Sequence, residues 1–346
     1  MTSAVSKVRF KDRQVEMAHG AGGKASRRLI DGLFAPILFG SAPVPLGDAG
    51  YVNVNGTYVA ITTDSFVVTP LRFPGGSIGD LAVNGTVNDL AVSGARAQAL
   101  VVSYVLEAGL RTEILEAEVW AMAAAASAAG VVIAGGDTKV VEHGKADQMY
   151  ITTTGIGHLI PGMNISPAAV RCGDKILLSG PIGDHGITIL LARGELDLDA
   201  ELRSDTRSVL PLVEALADTV GQGVHWMRDP TRGGVATSLN ELAQDCGLAI
   251  LLSEDAIPVR NEVRGACELL GLDPLHIANE GQFLAVVAAD QAASALRALR
   301  LMPGGREASL IGEIGEQPAG AVLVTTQYGG SRIVDMLVGD PLPRIC

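Results

Sequence analysis

The stretch SIGDLAVNGTVNDLAVSGA, residues 77–95, decides how the chain is read. Leu81, Val83, Val87, Leu90 and Ala91 recur at helical spacing, and Ser77 with Asp80 fits the start of a capping box, so a helix is predicted over 79–93. Along it Asp80, Asn84 and Asn88 fall at i, i+4 and i+8, a polar stripe that either faces solvent or lines a site. Just upstream, YVNVN (51–55) and YVAITTD (58–64) flank Asn55-Gly56, the strongest short hairpin signal. Downstream, QALVVSYVLE (98–107) reads as a strand and TEILEAEVWAMAAAASAAG (112–130) as a long helix. VVIAGGDTKVV (131–141) reads as a strand broken at its glycines, and QMYITTTGIGHL (148–159) as a further strand. These elements make one α+β unit.

The pattern lapses over 165–171 and restarts at Asp174, with strands and helices running to about residue 328. At 346 residues the chain exceeds what one core serves. The expected division is an N-terminal segment (1–45), a first unit (46–162), a second unit (163–330) and an extended, flexible tail (331–346) in which Pro341 and Pro343 oppose helix. An apolar share of 48% and a mean hydropathy of +0.31 exclude general disorder. Lys plus Arg at 26 against Asp plus Glu at 38 gives a net charge of −12, which repels phosphate backbones and anionic lipid, so neither nucleic-acid nor membrane binding is expected. The apolar run 119–134 is too short to span a membrane, and is expected as a buried helix entering a strand. No apolar run opens the chain, and four cysteines without C-x-x-C spacing suit a reducing, cytoplasmic setting.

Several residues carry potential chemistry. The cluster Gly20-Ala-Gly22-Gly23-Lys24 allows backbone amides to turn inward on an anion, although Ala18 and Ala25 break the P-loop pattern and no strand precedes it. Asp48, Asp64, Asp80, Asp137 and Asp229 each follow an apolar run, start a helix or sit in a Gly/Pro turn. Hard oxygen ligands of this kind suit Mg²⁺, while each aspartate taken singly also suits a turn or helix cap. Lys139, after Asp137-Thr138, and Glu280 fit the roles of electrostatic stabiliser and base, or those of a solvated lysine and a helix-end carboxylate. The histidines show no HExxH spacing, so zinc is not expected. Cys346 stands on a Pro-stiffened stretch, where a thiol can act as a covalent carrier or be inert. Prenylation is excluded because its Cys stands four from the end.

Taken together, HGAGGK (19–24), TTDSFVV (62–68), IGDLAVNGTVNDLAVSGA (78–95), GGDTKVV (135–141), GPIGDHG (180–186), RDPTRGG (228–234), ANEGQ (278–282) and PRIC (343–346) resemble the HypE family of hydrogenase maturation factors. That family lies within the ATP-using superfamily that includes aminoimidazole ribonucleotide synthetase (PurM). The resemblance runs in order along essentially the whole chain, and PRIC is its discriminating part.

The resemblance implies a PurM-like two-domain α+β fold, dimerising through its N-terminal α/β domain, with ATP and Mg²⁺ in a cleft under the glycine-rich segment Gly20, Gly22, Gly23 and Lys24. Asp64, Asp80, Asp137 and Asp229 would hold Mg²⁺ or orient the triphosphate, with Asp48, Asn84 and Thr138 alongside. Cys346 would be S-carbamoylated by HypF, and ATP would dehydrate the thiocarboxamide to a thiocyanate, with Glu280 and Lys139 handling amide protons. The cyano group would pass to iron on a HypC–HypD complex, as a ligand of the [NiFe]-hydrogenase. A superfamily small-molecule kinase or synthetase, and a docking scaffold without turnover, are the alternatives. A selenophosphate synthetase is disfavoured because no cysteine precedes Cys172.

Overall fold

Asn55 and Gly56, at φ 51° and 89°, close a hairpin between β1 (Gly50–Val54) and β2 (Thr57–Phe66). The structure, a computed structural model, describes residues 10–39, 46–196, 198, 200–339 and 342–346; Pro341 lies outside the described residues. Ahead of the hairpin, α1 (Lys24–Leu29) runs through a wider turn, Ile30–Phe34, into α2 (Ala35–Leu38). After it come the ribbon β3 (Arg72–Phe73) and β4 (Gly76–Ser77), then α3 (Ile78–Val92), β5 (Ala95–Glu107), α4 (Thr112–Ala129), β6 (Val132–Val141) and β7 (Met149–Leu159). The five long strands form one sheet in the order β1-β2-β7-β5-β6, antiparallel except for the β5–β6 pair.

α3 is buried on nearly every side, with Leu81, Val83, Val87 and Leu90 at 0% exposure. Each such side chain contributes about 1.5–3 kcal/mol. One side of the helix lies on β2, β7 and β5, where the Thr86 and Thr153 hydroxyls meet at 2.5 Å, and another lies on α4. Ser77 is the N-cap residue, yet its hydroxyl donates to Asp80 Oδ2 at 2.9 Å and makes no backbone cap bond. A carboxylate oxygen of Glu118 on α4 accepts the Gly79 N–H instead, at 3.1 Å. The predicted break in β6 is a bulge within a continuous strand, since Leu100 pairs with Ile133 and Val101 with Gly135. Gly136 keeps the strand continuous because its lack of a Cβ lets the backbone press against the Val102 carbonyl. α4 is not a fully buried helix either, since Trp120 is exposed and burial follows the stripe Glu118, Met122, Ala125 and Ala126.

The second unit carries β8 (Lys175–Leu178), α5 (Asp184–Arg193), α6 (Leu210–Val220), β9 (Val224–Arg228), α7 (Gly234–Cys246), β10 (Ala249–Ser253), α8 (Asn261–Leu270), β11 (Leu284–Val287), α9 (Ala292–Leu301), β12 (Ser309–Gly315), β13 (Val322–Thr325) and β14 (Ser331–Val334). Its strands form a seven-stranded sheet, β14-β13-β10-β12-β8-β11-β9. β14 falls in the stretch expected as a flexible tail, and the residues after it are fastened too. The Leu337 and Val338 carbonyls accept the Lys24 and Ala25 N–H groups, and Leu342, Ile345 and Cys346 are buried. An apolar Leu and Ile near the tail's tip bind it to the fold more strongly than its prolines extend it.

Candidate active site

Where the two units meet, Asp48 from the turn before β1, Asp89 from the last turn of α3 and Asp229 just after β9 bring carboxylate oxygens within 4.8 Å of one another. The Thr62 hydroxyl on β2 lies 2.9 Å from Asp89 Oδ2 and 2.7 Å from the Asp48 carbonyl. Arg228, at the end of β9, reaches Asp48 at 3.2 Å and Glu241 at 3.1 Å. Asp64 borders the group and faces the Arg232 guanidinium at 3.8 Å. Burial, and then the neighbouring carboxylates, hold Asp89 and Asp229 well above the usual carboxylate range. Burial also pushes Asp48 up to about 6 against the pull of Arg228, and raises Asp64 against that of Arg232. Hard oxygen donors crowded in this way fit a divalent cation such as Mg²⁺, whose charge would relieve their repulsion.

Glu280 comes from the loop before β11 and is 4% exposed, with Oε1 lacking a hydrogen-bond partner among the described residues. Burial raises its carboxyl well above the usual range; Asp229, Asp64 and Asp205 add to this and Arg232 opposes it. Its backbone is fixed from two sides. Asp205 accepts the Glu280 and Gly281 N–H groups at 3.1 and 3.2 Å, and Asn88 Nδ2 donates to the Glu280 carbonyl at 3.2 Å. Asn88 also bonds the Arg207 carbonyl and the Val209 N–H, so the C-terminal end of the α3 polar stripe faces the second unit and not solvent.

Cys346 is 6% exposed, and its carbonyl accepts the Val67 N–H at 3.0 Å. Val67 lies about 10 Å along the chain from Asp64, by the rise of an extended strand. Arg344 bonds Asp147 at 2.6 Å and Thr69 at 2.9 Å, while Arg193 of α5 holds the Arg344 carbonyl. The end of the chain is therefore seated between the two units.

The other expected site residues are placed differently. Asp80 is half-buried at the start of α3 with the Ser77 hydroxyl, and Asn84 is buried in the same helix. The register Asp64↔Thr153, Thr153↔Val102, Val102↔Gly136 sets Asp137 one residue past a row three strands, about 14 Å, from Asp64 and on the opposite face of the sheet. There it is exposed, bonded to Lys139 at 2.5 Å and to the Thr138 N–H at 2.8 Å. Asp137, Thr138 and Lys139 thus stand apart from the acidic group of this chain. In the glycine cluster, Gly22 (φ 76°) lies so close to Arg232 that a Cβ would meet it at 2.8 Å, which sets the loop beside the acidic group. A Cβ at Gly20 would meet nothing within 4 Å, Gly23 packs on the Leu337 carbonyl, and Lys24 pairs with Asp335 at 2.5 Å. Asp89 was missed by sequence reasoning. In the sequence it is a carboxylate in the last turn of a helix, next to the polar stripe, and reads equally well as a solvated helix-end residue.

Comparison with known proteins fits this architecture. "AIR synthase related protein, N-terminal domain" matches residues 46–159, and the corresponding C-terminal domain matches 171–325. "Carbamoyl dehydratase HypE" of Azotobacter vinelandii is 47% identical over 342 residues, covering 99% of this chain and 100% of that protein. The chain belongs to the HypE family of AIR synthase related proteins. HypE of Escherichia coli (strain K12) is 44% identical over 337 residues, 96% of this chain and 99% of its own length. A crystal structure of HypE in complex with ATP aligns at a TM-score of 0.80 with 44% identity, covering 96% of this chain and 100% of that one. A HypE–HypF complex aligns at 0.84 with 43% identity, covering 89% and 99%.

Proposed function

We propose that this chain dehydrates an S-carbamoyl group on its own Cys346 to a thiocyanate at the expense of ATP, supplying cyanide ligands to the iron of [NiFe]-hydrogenase. The observation that carries the reading is the seating of Cys346 between the two units, against the strand end that leads from Asp64. The full-length relatives named carbamoyl dehydratase support it, as does the ATP-bound HypE structure.

A carbamoyl oxygen is a poor leaving group. Transfer of the γ-phosphoryl to it makes phosphate the leaving group, and departure of phosphate with both N–H protons leaves S–C≡N. The balance is RSC(O)NH₂ plus ATP to RSCN plus ADP, phosphate and a proton. Asp48, Asp89 and Asp229, with Asp64 beside them, would hold Mg²⁺, which supplies charge neutralisation to the transferring phosphoryl. The loop at Gly20, Gly22, Gly23 and Lys24 would close the nucleotide side through its contact with Arg232. Glu280 is the base we assign to the N–H protons. Its carboxyl is a strong proton acceptor because burial and its neighbours raise it, and a cation on those neighbours would favour its ionised form.

HypF is the carbamoyl donor in this reading, supported by the solved HypE–HypF complex. A HypC–HypD complex is the acceptor, and the setting is the cytoplasm. A second copy of this chain is the remaining partner. The sheet face opposite α3 is uncovered, with Ile61, Val101 and Ile156 exposed on it, and both edge strands are exposed almost throughout. A second copy packed there would put Asp137, Thr138 and Lys139 at the interface. The test is ADP formation from ATP in the presence of HypF, carbamoyl phosphate and Mg²⁺. Wild type should turn over, while Cys346→Ala or chelated metal should reduce the rate to background. A Cys346→Ala protein with wild-type turnover would move the activity to a separate small molecule.

A further inference from the structure

The His185 ring is fully buried at the N-terminal end of α5, and two polar neighbours saturate its nitrogens. Nε2 lies 2.6 Å from the Ile345 carbonyl, and Nδ1 lies 2.8 Å from the Ser204 hydroxyl. A carbonyl can only accept, so Nε2 carries the hydrogen and Nδ1 accepts from Ser204. Burial, with Arg193 adding to it, brings the ring down to about 4, so it is neutral at physiological pH with one fixed tautomer. Phe73 packs edge-on at 5.5 Å between ring centres and fixes the ring plane. Asp184, the preceding residue, is held by Arg260 at 2.8 Å, which anchors the helix start.

We propose that His185 is a positioning residue for the reaction, holding the Ile345 carbonyl so that the Cys346 thiol presents in one orientation when the chain end is seated. The carbonyls on either side are held as well. Arg344 gives its carbonyl to Arg193 and the Thr69 N–H, and Cys346 gives its own to the Val67 N–H. Among these bonds the His185 contact is a buried side-chain bond to the carbonyl immediately before the reacting residue. With that carbonyl fixed, the backbone that carries the thiol is held on both sides of the last peptide bond. The His185 bond is a neutral one of modest net strength, and the Arg344–Asp147 pair beside it is half-exposed, so the end can leave to be loaded and return. The inference rests on the dehydratase reading for its purpose, but not for its geometry.

The test uses the full-length protein with His185→Phe, which keeps a ring and loses the donor, and His185→Gln, whose amide N–H can replace Nε2. N-ethylmaleimide labelling of Cys346 is followed by peptide mass, with exposed Cys172 as the internal reference. Labelling of Cys346 relative to Cys172 should rise at least about fivefold in His185→Phe and return towards wild type in His185→Gln. Dehydration should lose kcat in the Phe variant with the KM for ATP unchanged. If His185→Phe does not fold, Ser204→Ala, which removes the partner of Nδ1, should shift both readings in the same direction. A folded variant with Cys346 still shielded, or one with faster labelling and unchanged kcat, overturns the proposal. If wild type makes no thiocyanate while labelling responds as stated, the hold on the chain end stands and the dehydratase reading falls.

Discussion

At the scale of single residues, Asp48, Asp89 and Asp229 repel one another in a buried place, and this fixes the sign of two effects. Their folded-state proton affinity exceeds the unfolded value of 3.8, reaching about 6 for Asp48, so the metal-free fold binds extra protons in that window. The contribution of this cluster to metal-free stability should therefore fall as pH rises through about 6, whereas Mg²⁺ should flatten the slope. Thermal midpoints in EDTA and in Mg²⁺ from pH 5 to 7.5 measure this. Asp89→Asn should raise the metal-free midpoint by about 2 °C or more while abolishing the Mg²⁺ shift, because it removes a repulsive charge and a ligand together. Glu280→Gln should lower kcat by about 100-fold or more with the KM for ATP unchanged, read from dehydration kinetics. Asp64 and Asp229 are visible in the sequence because each ends an apolar run. Asp89 is not, since nothing local separates a cluster carboxylate from a helix-end carboxylate before Thr62 and Asp48 are known to lie opposite it.

Secondary-structure elements with a strong period are legible from the sequence. The Asn55-Gly56 hairpin, α3, α4 and β7 follow from turn chemistry and from spacings of 3.6 or 2, and they appear within a residue or two of where those patterns end. β6 is harder to read because Gly135-Gly136 looks like a break, and only the close approach to Val102 shows why glycine sits inside a strand. The direction of the α3 polar stripe is likewise set by long-range contacts. Asn88 makes three bonds to the second unit, so Asn88→Ala should destabilise the fold by about 2 kcal/mol, measured by urea denaturation, and should also loosen Glu280. The chain end was misjudged for a related reason. Proline reports local stiffness, whereas the burial of Leu342 and Ile345 depends on a groove built by residues far away in sequence.

At the scale of the whole molecule, the two-unit order and the boundary region are legible because apolar patterning stops and restarts around 165–174. How the units face each other is not, since it rests on Asn88, the Arg228–Asp48 pair and the seated chain end. On the proposed packing of a second copy against the uncovered sheet face, Ile156→Glu should give monomer in sedimentation experiments without unfolding the chain, because Ile156 is exposed beside Ile61 on that face. Among the described residues no helix is long and apolar enough to cross a membrane. The central claim is that Cys346 is the carrier on which the carbamoyl group becomes a nitrile. Its most direct test is the mass of the peptide containing Cys346 after incubation with HypF, carbamoyl phosphate and Mg-ATP. The account predicts a carbamoyl adduct that loses the mass of one water only when hydrolysable ATP is present. A peptide that stays unmodified, or an adduct that loses water equally well without ATP, would contradict it.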